Sequence, residues 1–194
     1  MDGSDLKWQK KISRYSKFKI DFSDKKQSVR YNNIGEIDFA IKSIIKYASF
    51  IRTIFLVTDN QIPKNFQYLK LLAEDSGIKL KIIDHLVIFK GYEQYLPCFN
   101  STSIISLIHR IPNLSEYYVL FNDDTFIMRK ISIEDLFINK NPVIRGRWKK
   151  FYKDQKIRLL FSKILNKYNL LKINHKNNLK FAMQTGAILA GINN

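Results

Sequence analysis

The sequence predicts an α/β fold in which a mostly parallel sheet is flanked by helices. Two runs rich in β-branched and aromatic residues, Thr53–Thr58 and Tyr117–Phe121, are typical of buried strands, and Ile78–Ile82 alternates apolar and polar residues as a half-exposed strand does. Helical segments lie between these runs, and strands that alternate with helices favour a layered, largely parallel sheet. The 194 residues are enough for one domain, 1–194, and too few for two of ordinary size.

Apolar residues recur at helical spacing in three segments, and each pattern predicts an amphipathic helix. A fourth, short helix is indicated by Ser132 and Asp135, which have the spacing of a capping box. The three apolar stripes are Ile37, Ile41, Ile44, Ile45 and Ala48; Ile104, Ile105, Ile108 and Ile111, closed by Pro112; and Ile157, Leu160, Phe161, Ile164, Leu165 and Tyr168.

The composition is that of an ordinary globular protein with a strong positive charge. A hydrophobic share of 45% excludes a disordered chain. The single cysteine, Cys98, cannot form an internal disulfide, and the sequence shows neither a membrane span nor a signal peptide, so we expect a cytoplasmic location. The net charge is +16, and basic residues crowd the segment Asn139–Lys180. This segment indicates a solvated face or an anion-facing surface equally well, and a nucleic-acid role less well than either.

The best candidate site follows the second predicted strand, because ligands in open α/β sheets bind beyond the carboxyl ends of strands. Asn122, Asp123 and Asp124 stand at this position. Two adjacent carboxylates can hold a divalent cation, which would neutralise a diphosphate. The alternative is a turn in which these residues cap the next segment, and the spacing alone leaves both interpretations open.

Two further polar segments allow weaker versions of the same hypothesis. Asp59 and Gln61 follow the first predicted strand, where they could bind a ligand or form a turn. The N-terminal segment could wrap a ribose or phosphate with backbone amides and carboxylates, although its composition is also that of any loop. Its residues are Asp2, Gly3, Ser4 and Asp5.

Among the basic and histidine side chains, Arg30 could clamp a phosphate, because the guanidinium fork matches phosphate geometry; alone it is more typical of the surface. His109, beside Arg110, precedes the acidic pair and could reach the same pocket, or it could be a core histidine. His85 and His175 have no partner in the sequence, and we interpret both as structural or surface residues.

Further short motifs follow one another in a fixed order between Arg30 and Asp124. They are Gly35-Glu36, Ser43–Ala48, Ile51-Arg52, Val57–Asp59, Gln61–Pro63, Leu96-Pro97, Phe99–Ser101, His109–Pro112, Leu114–Glu116 and Phe121–Asp124. This series resembles the second conserved region of the Stealth family of hexose-1-phosphate transferases, and Asp2–Asp5 with Trp8 resembles the first. The overall character is more similar to the bacterial capsular polysaccharide branch than to the animal one.

The chain departs from the family pattern in three ways. Asn60 stands where the family usually has Gly, which is a mild change because Asn tolerates positive φ, and Thr102 stands where many members have His. The strand that precedes the first conserved region and the family's third and fourth conserved regions are missing. The resemblance therefore implies a single, incomplete catalytic domain over 1–194, truncated at both ends.

The resemblance implies transfer of a hexose-1-phosphate from a nucleotide-sugar donor to a hydroxyl of a capsular or exopolysaccharide acceptor, with release of a nucleoside monophosphate. It also implies a nucleotide-sugar transferase-like architecture and Mg²⁺ or another divalent cation, held by Asp123 and Asp124. The implied catalytic residues are Asp123, Asp124, Arg30 and His109, and the implied substrate-binding residues are Asp2, Gly3, Ser4, Asp5, Asp59, Gln61, Asn100, Arg110 and Asn122.

We expect no nucleic-acid partner, since the pattern of a basic and aromatic single-strand groove is missing. The basic segment after Asn139 could attract an anionic acceptor glycan or the cytoplasmic membrane face where capsule is assembled, with peripheral contact to the inner membrane or the capsule assembly machinery. Two alternatives stay open: a metal-dependent glycosyltransferase, which would release a nucleoside diphosphate, and a non-catalytic fragment that binds without turnover.

Overall fold

The structure, a computed structural model, describes residues 3–16, 19–24, 31 and 33–145. The chain divides into two units, Met1–Val143 and Ile144–Asn194, and nearly all of the described residues belong to the first. The helix predicted from Ile157 onwards and most of the basic segment lie outside the described residues. The prediction of one domain over 1–194 therefore stays a prediction.

Helices and two pairs of strands make up the first unit. None of the helices in the described ranges is long and apolar enough to cross a membrane. Short 3₁₀ turns lie at Glu93–Tyr95, Ile108–Arg110 and Ile133–Asp135. In chain order the elements are α1 (Leu6–Tyr15), α2 (Glu36–Tyr47), β1 (Thr53–Thr58), α3 (Phe66–Asp75), β2 (Lys79–Asp84), α4 (His85–Ile88), α5 (Ser101–Leu107), β3 (Phe137–Ile138) and β4 (Asn141–Pro142).

The sheet that matters for the site is the parallel pair of β1 and β2. Their register runs from Thr53 opposite Lys79 to Thr58 opposite Asp84, so the two strands end side by side. α3 provides the crossover that a parallel pair requires. β3 and β4 form a separate antiparallel pair of two residues each. The described residues thus form a mixed α/β unit with a small parallel sheet.

Apolar residues cover both faces of this parallel pair. Because successive side chains of a strand point to opposite faces, Ile54 packs on one buried cluster while Phe55 and Val57 pack on another. Full burial of one such aliphatic side chain stabilises the fold by roughly 1.5–3 kcal/mol. The first cluster contains Ile41, Leu69, Ala73, Ile78 and Leu80, and the second contains Ile88, Phe89 and Ile111.

Most of the predicted elements within the described residues are confirmed. β1 has the predicted bounds, and β2 keeps the predicted alternation, with Leu80 buried between exposed Lys79 and Lys81. α2 packs Ile37, Ile41 and Ile45 of the predicted stripe on the first cluster. The stripe that ends at Pro112 forms α5 followed by a 3₁₀ turn, and the Ser132 amide donates a hydrogen bond to Asp135 Oδ2 at 2.9 Å at the start of the predicted short helix.

The predicted strand Tyr117–Phe121 is wrong. The segment is not paired with any strand in the described residues, and Tyr117, Tyr118, Val119 and Leu120 are 40–47% exposed. Its β-branched and aromatic residues have strand propensity, but propensity produces a strand only where a neighbouring strand completes the hydrogen bonds. The acidic pair Asp123 and Asp124 therefore follows an unpaired segment and not a strand.

Candidate functional site

The parallel register brings the residues after β1 and β2 together at one edge of the sheet. Asp59 follows β1, and Asp84 is the last residue of β2. The backbone amide of Asn60 donates a hydrogen bond to Asp84 Oδ2 at 2.7 Å, and the amide of Leu86 donates to Asp84 Oδ1 at 2.8 Å. Asn60 has a φ of 54°, so its side-chain type suits this tight turn. Asp84 thus links the two strand ends.

Helix α1 lies against the same edge through two polar contacts. Lys11 Nζ lies 2.9 Å from Asp59 Oδ1 and 3.0 Å from Oδ2, and the Asp59 side chain is only 16% exposed. Gln61 Nε2 donates to Asp5 Oδ2 at 3.2 Å. That bond, with the backbone amides of Lys7 and Trp8, lowers the pKa of Asp5. Asp5 is also the N-cap of α1, a position at which aspartate is among the favoured residues.

Gly3 is fixed by packing. Its amide donates to the carbonyl oxygen of Tyr31 at 2.8 Å, and its own carbonyl accepts from Gln9 Nε2 at 2.7 Å. A Cβ atom at Gly3 would collide with the carbonyl oxygen and the Cβ of Tyr31. The ring of Tyr31 in turn lies 5.4 Å from that of buried Trp8. Because Gly3 has no side chain, the backbone of the N-terminal segment can lie close to Tyr31.

A buried histidine lies at the centre of this edge, where the sequence had indicated only a structural or surface residue. His85 is 6% exposed, and burial lowers its pKa, although the charges of Asp59 and Asp84 partly oppose this effect. Its Nδ1 atom has no hydrogen-bond partner within the described residues, and neither has Oγ1 of Thr58. Unpaired buried polar atoms are uncommon in folded proteins.

The acidic turn of Asn122, Asp123 and Asp124 is anchored to helix α2. The turn itself is exposed, and the amide of Thr125 donates to the Asn122 carbonyl at 3.2 Å. Just after it, the amide of Ile127 donates to Ser43 Oγ in α2 at 3.0 Å, and the Ser43 hydroxyl donates to the Ala40 carbonyl at 2.8 Å. A second backbone bond, from Ile131 to the Tyr47 carbonyl, measures 2.9 Å.

The donor set of this turn fits Mg²⁺. The described part of the chain contains no group of three or more His, Cys, Asp and Glu residues that could hold a metal ion. Mg²⁺, however, usually binds through one or two carboxylates, keeps several waters and takes further ligands from substrate phosphates. The carboxylates of Asp123 and Asp124 are adjacent and exposed, so they suit a Mg²⁺ ion that also binds water and substrate phosphates. They suit less well a metal ion that is enclosed by protein ligands alone. The metal itself stays a prediction.

One wide cleft of about 1510 Å³ brings several of the predicted residues together. Asp59 and Gln61 at the edge of the sheet line it, and so do Asn122 and Asp123 of the acidic turn. His85 also lines it. Arg30 and Asp2 lie outside the described residues. The cleft wall within the described residues does not include Asp124, Gly3, Ser4 or Asp5. Nor does it include Asn100, His109 or Arg110.

These last three residues have local contacts of their own. Asn100 is the N-cap of α5, where Oδ1 accepts from the Thr102 amide at 2.9 Å. His109 is exposed in the 3₁₀ turn Ile108–Arg110. Arg110 donates through Nη2 to the Lys90 carbonyl at 2.6 Å, while Nη1 is buried and has no partner in the described part of the chain. Nη1 of Arg110 therefore keeps donor capacity that a bound anion could use.

Sequence reasoning missed Lys11, Asp84 and His85 as members of this edge. Asp84 could have been found, because it follows the alternating run Ile78–Ile82 just as Asp59 follows β1. Lys11 offered no signal, since nothing in the sequence says that α1 lies against β1.

The family comparison decides the chain's relationships. The model of Stealth protein CR2, conserved region 2, matches residues 30–144, which is more than half of the chain. The chain belongs to the Stealth family. The match includes β1, β2 and the acidic turn, so the conserved region contains most of the cleft described above. No solved structure matches the chain.

Curated Stealth relatives of this chain carry related names. The chain is 40% identical over 138 residues to the capsular polysaccharide phosphotransferase fcs1 of Haemophilus influenzae, with 71% of this chain and 35% of that protein covered. It is 38% identical over 137 residues to the exopolysaccharide phosphotransferase cps2G of Lactiplantibacillus plantarum, with 71% and 37% covered. The Stealth chain thus spans about a third of the length of these relatives.

Proposed function

We propose that this Stealth chain is part of an enzyme that transfers a hexose-1-phosphate from a nucleotide-sugar to a hydroxyl of a capsular or exopolysaccharide. The observation that carries the proposal is the match of residues 30–144 to the family's conserved region 2, with relatives named as polysaccharide phosphotransferases. The cleft supports it, because carboxylates and amides at the carboxyl edge of a parallel sheet are placed where α/β proteins bind nucleotides.

In the proposed reaction an acceptor hydroxyl attacks the phosphorus atom next to the hexose. A new O–P bond forms, the bond from that phosphorus to the bridging oxygen breaks, and the nucleoside monophosphate leaves with the electron pair. The hydroxyl proton passes to a base or to water. The enzyme must therefore hold the hydroxyl in line with the leaving group and stabilise charge on the phosphate oxygens.

The residues at the sheet edge and in the acidic turn divide between two tasks. Asp59 and Gln61, held by Lys11 and Asp5, would line the nucleotide at the edge of the sheet. Asp123 and Asp124 would hold Mg²⁺, with Asn122 orienting the turn. Bound there, the ion would supply positive charge to the diphosphate and its leaving group.

The roles of the other predicted residues remain part of the proposal. Arg110 would offer its remaining guanidinium donor to the diphosphate, and His109 is a candidate for proton transfer. Arg30 and Asp2, outside the described residues, keep their predicted roles as phosphate clamp and nucleotide contact. Gly3, Ser4 and Asn100 would contribute to the nucleotide site.

The architecture and location belong to the same proposal. A nucleotide-sugar transferase-like sheet would extend the small parallel pair. The enzyme would act in the cytoplasm, with peripheral contact to the inner membrane or capsule assembly machinery through its basic segment.

Identification of the released nucleotide tests the proposal. The chain, and the longest reading frame that contains it, would be incubated with Mg²⁺, capsule oligosaccharide and a panel of nucleotide-sugars, and the products separated by chromatography. Release of a nucleoside monophosphate that depends on the acceptor is the expected result. A nucleoside diphosphate would instead indicate a glycosyltransferase that attacks the sugar carbon. Donor binding without any release would contradict catalysis by this polypeptide.

A further inference from the structure

Within the part of the chain that the structure describes, two buried polar atoms at the carboxyl edge of the parallel sheet lack a hydrogen-bond partner. They are Nδ1 of His85 and Oγ1 of Thr58. Thr58 is the last residue of β1 and lies opposite Asp84 in the register, and His85 is the residue after Asp84. Both side chains line the wide cleft. A buried polar atom without a partner costs about 1–3 kcal/mol, and a ligand that supplies the missing partner would recover this energy.

The charged groups around these two atoms are already paired. Asp59 has Lys11 at 2.9 Å. Asp84 accepts amide hydrogen bonds on both carboxylate oxygens, at 2.7 and 2.8 Å. The hydroxyl of Thr58 and the imidazole of His85 are therefore uncharged groups at this edge whose hydrogen-bonding capacity the described residues leave unused.

The same surroundings define the ligand that would fit. The folded environment lowers the pKa of His85, so the ring is neutral at pH 7, with one nitrogen donating and the other accepting. The charges that act on His85 are two carboxylates, Asp59 and Asp84, and one ammonium group, Lys11, and this net negative charge disfavours a phosphate. A hydroxyl group is uncharged and both donates and accepts, so it suits the threonine and either tautomer of the histidine.

We propose that His85 and Thr58 bind sugar hydroxyl groups of the nucleotide-sugar donor. The inference rests on the proposed function and adds the part of the donor that this edge holds: its ribose or hexose hydroxyls, with the diphosphate directed away from Asp59 and Asp84. Both sugars carry the required chemistry, and the experiment separates them.

Isothermal titration calorimetry on the whole chain tests the inference with two kinds of probe. The ribose arm uses UMP, CMP, GMP and AMP, and then the 2′,3′-dideoxy form of the nucleotide that binds most tightly. The hexose arm uses glucose 1-phosphate. Thr58→Val replaces the hydroxyl with a methyl group of similar size, and Thr53→Val is the matched control at the opposite end of the same strand.

Thr58→Val should weaken binding of the ribonucleotide about five- to tenfold and leave its dideoxy form unchanged, if the ribose occupies the edge. If the hexose occupies it, the same loss should appear for glucose 1-phosphate alone. Thr53→Val should change neither. The unfolding midpoint of Thr58→Val should equal or exceed that of the unmodified chain, since the mutation removes an unpaired buried hydroxyl. His85→Phe should show the same losses of binding. If His85→Phe fails to fold, Thr58→Val alone decides the test.

The inference is overturned if the chain binds these probes and Thr58→Val leaves every affinity unchanged; the proposed function then still stands. If the unmodified chain binds no probe and releases no nucleotide from any donor, the inference and the proposed function are both contradicted.

Discussion

The hydroxyl of Ser43 connects helix α2 to the segment that follows the acidic turn, and Ser43→Ala should release that segment. The hydroxyl accepts the Ile127 amide at 3.0 Å and donates to the Ala40 carbonyl at 2.8 Å in a partly buried position. Alanine removes both bonds and leaves the Ile127 amide without its acceptor. Because Ile127 lies three residues after Asp124, the loss should also loosen the carboxylate pair.

The expected cost follows from two opposing contributions. An amide left unpaired in a buried position costs about 1–3 kcal/mol. Replacing serine by alanine inside a helix returns up to about 0.5 kcal/mol of helix propensity. The free energy of unfolding should therefore fall by about 0.5–2.5 kcal/mol. Ser106→Ala is the matched control, because Ser106 Oγ donates to the Ser103 carbonyl at 2.8 Å within α5 and lies on an exposed part of the helix.

Urea unfolding of both variants and hydrogen exchange at the Ile127 amide would measure the effect. Ser43→Ala should lower the unfolding midpoint and speed exchange at Ile127, whereas Ser106→Ala should do neither. Equal stability of the two variants, with unchanged exchange at Ile127, would refute the view that Ser43 anchors the acidic turn.

Four further predictions concern the site. Gly3→Ala should lower the free energy of unfolding by about 1–3 kcal/mol in urea titrations, because its methyl group would collide with the adjacent chain, and an unchanged midpoint would contradict this packing. Lys11→Met should raise the pKa of His85, because the charge of Lys11 lowers it, and Asp59→Asn should lower that pKa, because the charge of Asp59 raises it. NMR titration of the imidazole would detect either shift. Shifts of the opposite sign would refute the arrangement. The folded state lowers the pKa of His85 below 6.5, so the unfolded chain binds more protons at this residue. The free energy of unfolding should therefore fall as the pH drops from 6.5 towards the folded-state pKa. His85→Phe should reduce this dependence on pH, as measured by urea titrations at several pH values. Asp124→Asn should abolish Mg²⁺-dependent nucleotide release, and unchanged turnover would show the metal assignment to be wrong.

The parallel pair and helix α2 could be predicted because local pattern and tertiary packing agree, whereas α3, which packs on the same cluster, was not predicted. Leu80 of β2 packs on the first cluster between exposed Lys79 and Lys81, and α2 packs on the same cluster. Tyr117–Phe121 shows where a local pattern does not predict the fold. Its composition is that of a strand, but strand formation depends on a neighbour that the segment itself does not encode.

The candidate site was predictable where it depends on strand ends. Asp59 and Gln61 followed from the rule that ligands bind beyond the carboxyl ends of strands, and the same rule applied to β2 would have added Asp84. The contact of Lys11 with Asp59 joins residues 48 positions apart and depends on how α1 packs. Likewise, the burial of His85 depends on the packing around the short helix α4, which a lone histidine in a sequence does not reveal.

The most direct test of the central claim follows the phosphorus atom next to the hexose. A nucleotide-sugar labelled with ³²P at that position would be incubated with the protein, Mg²⁺ and capsule oligosaccharide, and the polymer separated from small molecules. Sugar-phosphate transfer predicts that the label enters the polymer as a phosphodiester and that the released nucleotide is unlabelled. Label recovered in a nucleoside diphosphate, with an unlabelled polymer that has gained the sugar, would contradict the account.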